Sequence, residues 1–469
     1  MSRTFLSLKI YNYRVWFFTA IVANTGTWMQ RVAQDWLVLT ELTDNDAFAV
    51  GVTTALQFLP LLLVTPYAGV LADRYDKRKI MYVTQSLMGL LALGLGVLVL
   101  TDHATVELVY VFAFVLGTVS AFDTPPRQVF VSELVPPSHL ANAIGLNSAS
   151  FNSARLLGPA VAGLLIAAVG TGWVFVINGF SFGATLIGLM IMRSKDFHSS
   201  VPQPRAKGQI RQAVSYVRHR SDIIVIMVVA GVVSCLGLNF QLTSASMASE
   251  VFGKDAGEYG LLGSIMAIGS LTGALMAARR KESRVRLVVM SAFGFGIAAG
   301  INAMMPTYWT YAISCILVGY FTLTMLTSAN MAIQSSVDPA IRGRIMALYQ
   351  VVLMGSTPIG APIVGAISDG VHPRWGIGIG AISALVVSVG ALIWARKNWR
   401  VTFEYRRDET PHLLIIGPAE HAENRARRAA EKAKRRTSER TLDATTSEMA
   451  AISSSTVAVP PRSATPEEP

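Results

Sequence analysis

The chain has 469 residues, 52% hydrophobic and 15% charged, with a mean hydropathy of +0.45. Soluble domains carry about 25% charged residues, so the composition excludes an ordinary soluble domain and points to a polytopic membrane protein. The net charge of +11 sits in short loops and a tail, which argues against nucleic acid as a partner.

Met1 to Arg14 is short and basic, and no clear small-residue cleavage site follows it, so no cleavable signal peptide is expected. Twelve apolar runs follow, at 14–39, 48–71, 80–101, 107–124, 141–169, 173–192, 222–246, 258–278, 286–305, 308–335, 345–369 and 375–395. Each is long enough for a transmembrane helix, and an even number places both termini on one side. Twenty-two lysines and arginines fall in the loops of that side, against only Lys254 and Arg374 opposite. Both termini are therefore expected in the cytoplasm. The two cysteines, Cys235 and Cys315, lie in apolar runs, so no disulfide framework is indicated.

Four regions are expected: a six-helix half over 1–192, a cytoplasmic linker over 193–221, a second six-helix half over 222–396, and a disordered basic tail over 397–469. In the linker, Ile210, Val214 and Val217 share one helical face among basic residues, the pattern of a helix at anionic lipid headgroups; a solvated linker helix fits equally. The halves echo each other: Pro137, Gly158, Gly163 and Trp173 recur 202 positions later as Pro339, Gly360, Gly365 and Trp375.

The loop between the second and third spans reads Gly69-Val-Leu-Ala-Asp73-Arg74-Tyr-Asp-Lys-Arg78-Lys. It resembles the signature loop of the major facilitator superfamily, Gly-x-Leu-Ala-Asp-Arg-x-Gly-Arg-Arg, with Asp76 in the place of a glycine. The stretches 28–36, 123–136, 142–147 and 151–163 further resemble its enterobactin-exporter-like branch, over about residues 10–396. The resemblance implies an all-α fold of twelve transmembrane helices in two six-helix pseudo-repeats, acting as a monomer in the bacterial inner membrane. It implies a secondary transporter that exports drugs, siderophores or other lipophilic molecules, usually by proton antiport. It also implies that Gly69, Asp73, Arg74 and Arg78 form a gating loop, with Asp123 as partner to one of its cations. Gly145, Gly158, Pro159 and Gly163 match part of the antiporter motif of the fifth span, where small residues let helices approach and Pro159 bends the helix. In the second half Gly273 and the cations after it remain, but Ala277 stands where the aspartate would be.

Charges inside the membrane are costly, so each asks for a partner or a cavity. In the first span Asn24, Thr27, Arg31 and Asp35 recur at steps of three and four and share one face, widened by Gln30 and Gln34. Asp35 is the candidate proton-coupling carboxylate, with Arg31 four residues away to pair with it; a purely structural ion pair is the alternative. Asn152 and Arg155 of the fifth span are cavity candidates, Arg155 facing an anionic group of the substrate or Asp35. The second half shows no obvious intramembrane charge; Asn239, Gln241, Asn330, Gln334 and Tyr349 are its polar cavity candidates. No nucleotide-binding loop, metal-ligand constellation or hydrolase elbow occurs. Neither enzyme chemistry nor a bound cofactor or metal is expected. Uptake or facilitated diffusion, and a non-transporting sensor or scaffold, are the rival readings.

Overall fold

The computed structural model describes residues 3–198, 209–278, 285–399, 402–405 and 413–416. The first half contains α1 (Tyr11–Trp36), α2 (Ala47–Arg74), α3 (Lys77–Leu100), α4 (Val106–Glu133), α5 (Leu140–Val169) and α6 (Thr171–Ile191). A linker helix, α7 (Gln209–Arg218), leads to the second half. This comprises α8 (Ser221–Leu236), α9 (Phe240–Ser246), α10 (Ala256–Ala278), α11 (Val285–Met304), α12 (Tyr308–Ser336), α13 (Pro339–Gly355), α14 (Thr357–Gly370) and α15 (Pro373–Trp399).

Among the described residues eleven helical segments are long and apolar enough to cross a membrane. One is α8 with α9, and another is α13 with α14. Near the α13–α14 break, Pro358 has no N–H to donate to the preceding turn. The twelfth expected span, 14–39, is α1, whose 26 residues are long enough but carry the polar stripe. One face of this helix packs into protein: Ala20, Ala23, Val32 and Ala33 are buried, and α5 and α6 lie along it, while Phe18 and Val22 are exposed on the other face.

The internal repeat is visible in the backbone. The helix α1 runs on into a wide π turn, Leu37–Leu42, and α9 runs into another, Met247–Val251. The N–H of Asn45 donates to Leu39 O at 2.9 Å, and that of Lys254 donates to Ala248 O at 2.7 Å. Each turn is completed by a left-handed residue, Asn45 (φ 61°) and Gly253 (φ 56°).

The halves meet along two equivalent seams, α2 against α14 and α5 against α10. A Cβ on Gly51 would lie 2.5 Å from Ala361 O, and one on Gly260 would lie 2.6 Å from Pro159 O. A Cβ on Gly365 would meet Ala47 O at 2.5 Å, and one on Gly163 would meet Ala256 O at 2.7 Å. Real side chains do not fit at these distances, so backbone lies on backbone at all four points. The echo of Gly158–Gly163 in Gly360–Gly365 has the same meaning: the first glycine of each pair packs on the first span of its own half, and the second crosses to the other half. Both seams lie toward the end of the bundle remote from the basic loops. At the basic end of the first half an aromatic cluster joins the helices: Tyr13, Trp16, Phe130 and Leu134 are at most 1% exposed. Tyr13 donates a 2.8 Å hydrogen bond to Ala143 O within it.

The linker helix α7 buries Ala213 and Val217 and packs on α8 and α13. Arg344 of α13 donates to its Gln212 at 2.6 Å. Its apolar strip is thus turned, at Ala213 and Val217, toward protein. Residues 1–391 form one compact unit and 392–469 a second. The described part of the second holds the end of α15 and an antiparallel pair of strands, β1 (Thr402–Tyr405) and β2 (Leu413–Ile416). Aromatic, β-branched and aliphatic residues fill seven of these eight positions, the eighth being Glu404, where the sequence reading expected only a disordered tail. The basic runs after Ala278 and after Arg425 lie outside the described residues.

Because the seams admit no side chain, Gly51→Leu or Gly163→Leu is expected to cost about 1–3 kcal/mol of seam packing. Spin labels at Asp44 and His372 should report a longer distance across the closed end. Gly145→Leu is the control, since nothing lies within 4 Å of a Cβ there. Unchanged distances in both seam variants would remove the seams from the closure.

Candidate functional site

The polar stripe of α1 borders a cavity of about 50 Å³ lined by Thr27, Gln30, Arg31, Gln57, Phe58 and Asn178, among others. Close approach of α6 to α1 depends on Gly26, where a Cβ would strike Asn178 and Ser181. Asn178 donates to Gln30 Oε1, and Ser181 donates to Asn178 Oδ1 at 2.9 Å. Thr27 donates to Ala23 O at 2.8 Å. Asn24 accepts from Arg127 at 3.0 Å. Gln34 is buried and its Oε1 has no partner. Of the stripe, Thr27, Gln30 and Arg31 line this cavity, while Asn24 is taken up by Arg127.

The three intramembrane charges arrange themselves differently from the expected pairing. Arg31 forms no ion pair with Asp35. Its guanidinium lies 4.7 Å from the ring centroid of Trp28 and 5.0 Å from that of Phe58. Arg155 also turns to Trp28, at 5.5 Å, and not to Asp35. Cation–π contact of this kind is worth about 2 kcal/mol when desolvated. Gly158 permits the convergence, because a Cβ there would lie 2.5 Å from the Trp28 Cβ. Asp35 is left 7% exposed and, among the described residues, with neither a hydrogen bond nor an ion pair on its carboxylate. Next to it Trp36 stacks on Tyr259 of α10 at 5.5 Å, and the Tyr259 hydroxyl is also without a partner.

At the basic end, Asp123 does not reach the gating loop. It accepts from Thr84 at 2.6 Å and from Gln85 at 2.9 Å, and it pairs with Arg127, one turn along α4, at 3.1 Å. A buried aspartate takes the nearest cation on its own helix, and the loop cations find other partners. Arg78 donates to Leu189 O at 3.0 Å and to Ser194 at 2.9 Å, closing the end of α6. Lys77 pairs with Glu133 at 2.8 Å. Arg74 is exposed, Gly69 is half-buried, and Asp76 caps α3 through the N–H of Arg78 at 2.8 Å. That cap is a physical reason for aspartate where the signature has glycine. The side chains of Asp73 and Asn152 lie outside the described residues.

In the second half Asn239 donates to Cys235 O at 2.8 Å, one turn back. Gln241 and Asn330 are half-buried, and Gln334 is exposed. Tyr349 is fully buried and its hydroxyl has no partner. The second half shows acidic residues at two span ends, Glu250 and Asp369, each next to the last residue of its segment. Asp369 of α14 accepts from the backbone N–H of Ala47 at 2.9 Å and of Phe48 at 2.6 Å, so it caps α2 across the seam. Asp46 caps the same helix from its own chain end, accepting from Ala49 at 2.9 Å. An acidic residue at the last turn of a span reads as a loop residue in the sequence, which is why it was missed. Of the antiporter-type residues, Gly163 and Pro159 lie in a seam, Gly158 packs on α1, and Gly145 meets nothing. Among the described residues no cluster of His, Cys, Asp or Glu could hold a metal ion.

Residues 2–411 match the model of a family described as transmembrane secretion effector. The staphyloferrin A transporter of Staphylococcus aureus is 22% identical over 360 residues, 76% of this chain and 89% of that protein. The multidrug efflux pump Tap of Mycobacterium tuberculosis is 25% identical, covering 76% and 87%. Macrolide efflux protein A of Streptococcus pyogenes is 21% identical, covering 77% and 90%. Among solved structures, an inward-facing bacterial homolog of the human lysosomal transporter Spinster superposes with a TM-score of 0.63 at 16% identity, over 82% of this chain and 95% of that one. A D-xylose–proton symporter gives 0.61 at 12% identity, over 80% and 96%.

Two substitutions test the geometry. Asp123→Ala removes the acceptor of three side chains and leaves Arg127 unpaired, which should cost roughly 3 kcal/mol and lower the thermal midpoint of the purified protein. An unchanged midpoint would mean that the Thr84–Gln85–Arg127 group is held by something else. Asp369→Asn cannot accept from both N–H groups with the same strength, so the spin-label distance across the α2–α14 seam should shift to longer values. A distance distribution identical to that of the unsubstituted protein would show that the cap does not hold the seam.

Proposed function

Because the chain belongs to the transmembrane secretion effector family, an efflux-type branch of the major facilitator superfamily, we propose that it expels lipophilic or amphipathic small molecules in exchange for protons. The observation that carries the coupling is the carboxylate of Asp35, buried near the cavity with no partner. An isolated charge costs about 2.5–3.5 kcal/mol at the centre of a membrane helix. A carboxylate in this setting is a group whose protonation follows what its surroundings become as the halves move. The curated relatives, named for multidrug and macrolide efflux and for a siderophore, support a small-molecule cargo.

The distribution of lysine and arginine supports cytoplasmic termini. In that orientation the glycine seams lie at the outer end. Cargo then enters from the cytoplasm or the inner leaflet and settles against the α1 stripe. Outward opening parts the seams and brings Asp35, next to the last residue of α1, into contact with the outside medium, where it takes up a proton. Return to the inward-facing state delivers that proton to the cytoplasmic side. Arg78 and Lys77 keep the first half rigid through α6 and α4 while this happens.

The test uses purified protein in liposomes loaded with a pH-sensitive dye, under an imposed proton gradient, with dyes, lipophilic cations and catechol siderophores as cargo. Cargo-dependent proton movement that Asp35→Asn abolishes is the expected outcome. Proton movement retained in Asp35→Asn would place coupling elsewhere, and the absence of proton movement for every compound would remove antiport from the reading.

A further inference from the structure

We infer that Arg31 and Arg155, gathered on the indole of Trp28, form a receptor for an oxyanion, and that the cargo class is an amphipathic molecule bearing a carboxylate. The inference rests on the export reading for the word cargo; the site itself rests on geometry. Both guanidiniums lie within 6 Å of one ring centroid, at 4.7 and 5.5 Å. By those two distances they are no more than about 10 Å apart, close enough to repel in a medium of low dielectric constant. Among the described residues neither has a carboxylate within ion-pair distance, and Arg31 Nε is buried with no acceptor.

Two unpaired cations at this depth are costly, and the aromatic rings offset only part of that cost. The arrangement lacks one component: an acceptor able to engage both forks. Arginine presents paired N–H groups that match the two oxygens of a carboxylate. The cavity supplies the rest of the complement. Arg31 lines it together with Phe58, Leu61 and Phe182, an apolar wall for the body of the molecule, while Gln57 adds an amide. Arg155 is exposed and reaches the site from α5 through the ring of Trp28. The rings hold the guanidiniums in readiness when no anion is present, so little reorganisation is needed on binding. Asp35 bears on the site as a competing anion one turn above Arg31, without occupying either fork.

A matched set of probes tests this: 1-naphthaleneacetate, its methyl ester, and 1-naphthylmethylammonium, which share one apolar body. Binding to the full-length protein in neutral detergent is followed by tryptophan fluorescence, with thermal unfolding to confirm that each variant is folded. The anion should bind at least about tenfold tighter than the ester or the amine. Arg31→Gln and Arg155→Gln should each bring binding of the anion down to that of the ester in the same variant, and Arg155→Lys should keep part of the preference. Equal binding of all three probes, or an anion preference that survives both Gln variants, overturns the inference. Occupation by phosphatidylglycerol that naphthaleneacetate does not displace overturns it in favour of a lipid headgroup. Binding is read without any proton gradient, so a failure of antiport in liposomes leaves this result standing and a failure here leaves antiport standing.

Discussion

Backbone contact at four small-residue positions is the constraint on which the arrangement of the two halves depends. Gly51, Gly163, Gly260 and Gly365 bring main chain against main chain across α2–α14 and α5–α10. Small residues are what allow such approach between membrane helices, where no hydrophobic force draws them together. The contact is van der Waals in kind, summed over many weak pairs. It is strong when the fit is complete and lost steeply on slight separation. A joint of that sort favours two states over a continuum, which is what a carrier with alternating access requires.

Inside the first half, α1 serves two sets of groups along one helix. Toward the basic end its Tyr13 and Trp16 anchor an aromatic core, and Asn24 is bound to Arg127, so that part is fixed. Toward the closed end lie Arg31, Gln34 and Asp35, each with polar capacity unspent. Unsatisfied groups in a membrane interior carry a free-energy cost that a structural helix would have shed. They are concentrated within little more than one turn of α1.

The periodic features were legible from sequence and the tertiary choices were not. The stripe of Asn24, Thr27, Arg31 and Asp35 followed from helical spacing, and the 202-residue echo of Gly158 and Gly163 followed from identity alone. Which neighbour each group takes depends on other helices. Arg31 has Asp35 four residues on but prefers Trp28 of its own helix and Phe58 of α2. Asp123 has a basic loop nearby in the chain but is satisfied by Thr84, Gln85 and Arg127. The role of Asp369, capping a helix of the other half from the end of its own span, has no local signature in the sequence. The low hydropathy of α1 comes from the polar face it turns to α6 and the cavity, while Phe18 and Val22 remain exposed on the other side.

The cap on α2 has a mechanical consequence. The helix is tied at its first turn to the second half through Asp369, and its last turn leads directly through Tyr75 and Asp76 into α3 of the first half. It is thus a strut with its ends set in different bodies. Between those ends Pro60 and Pro66 each remove one backbone hydrogen bond. A strut with two soft points can curve in its middle, between an end tied to the second half and an end continuous with the first.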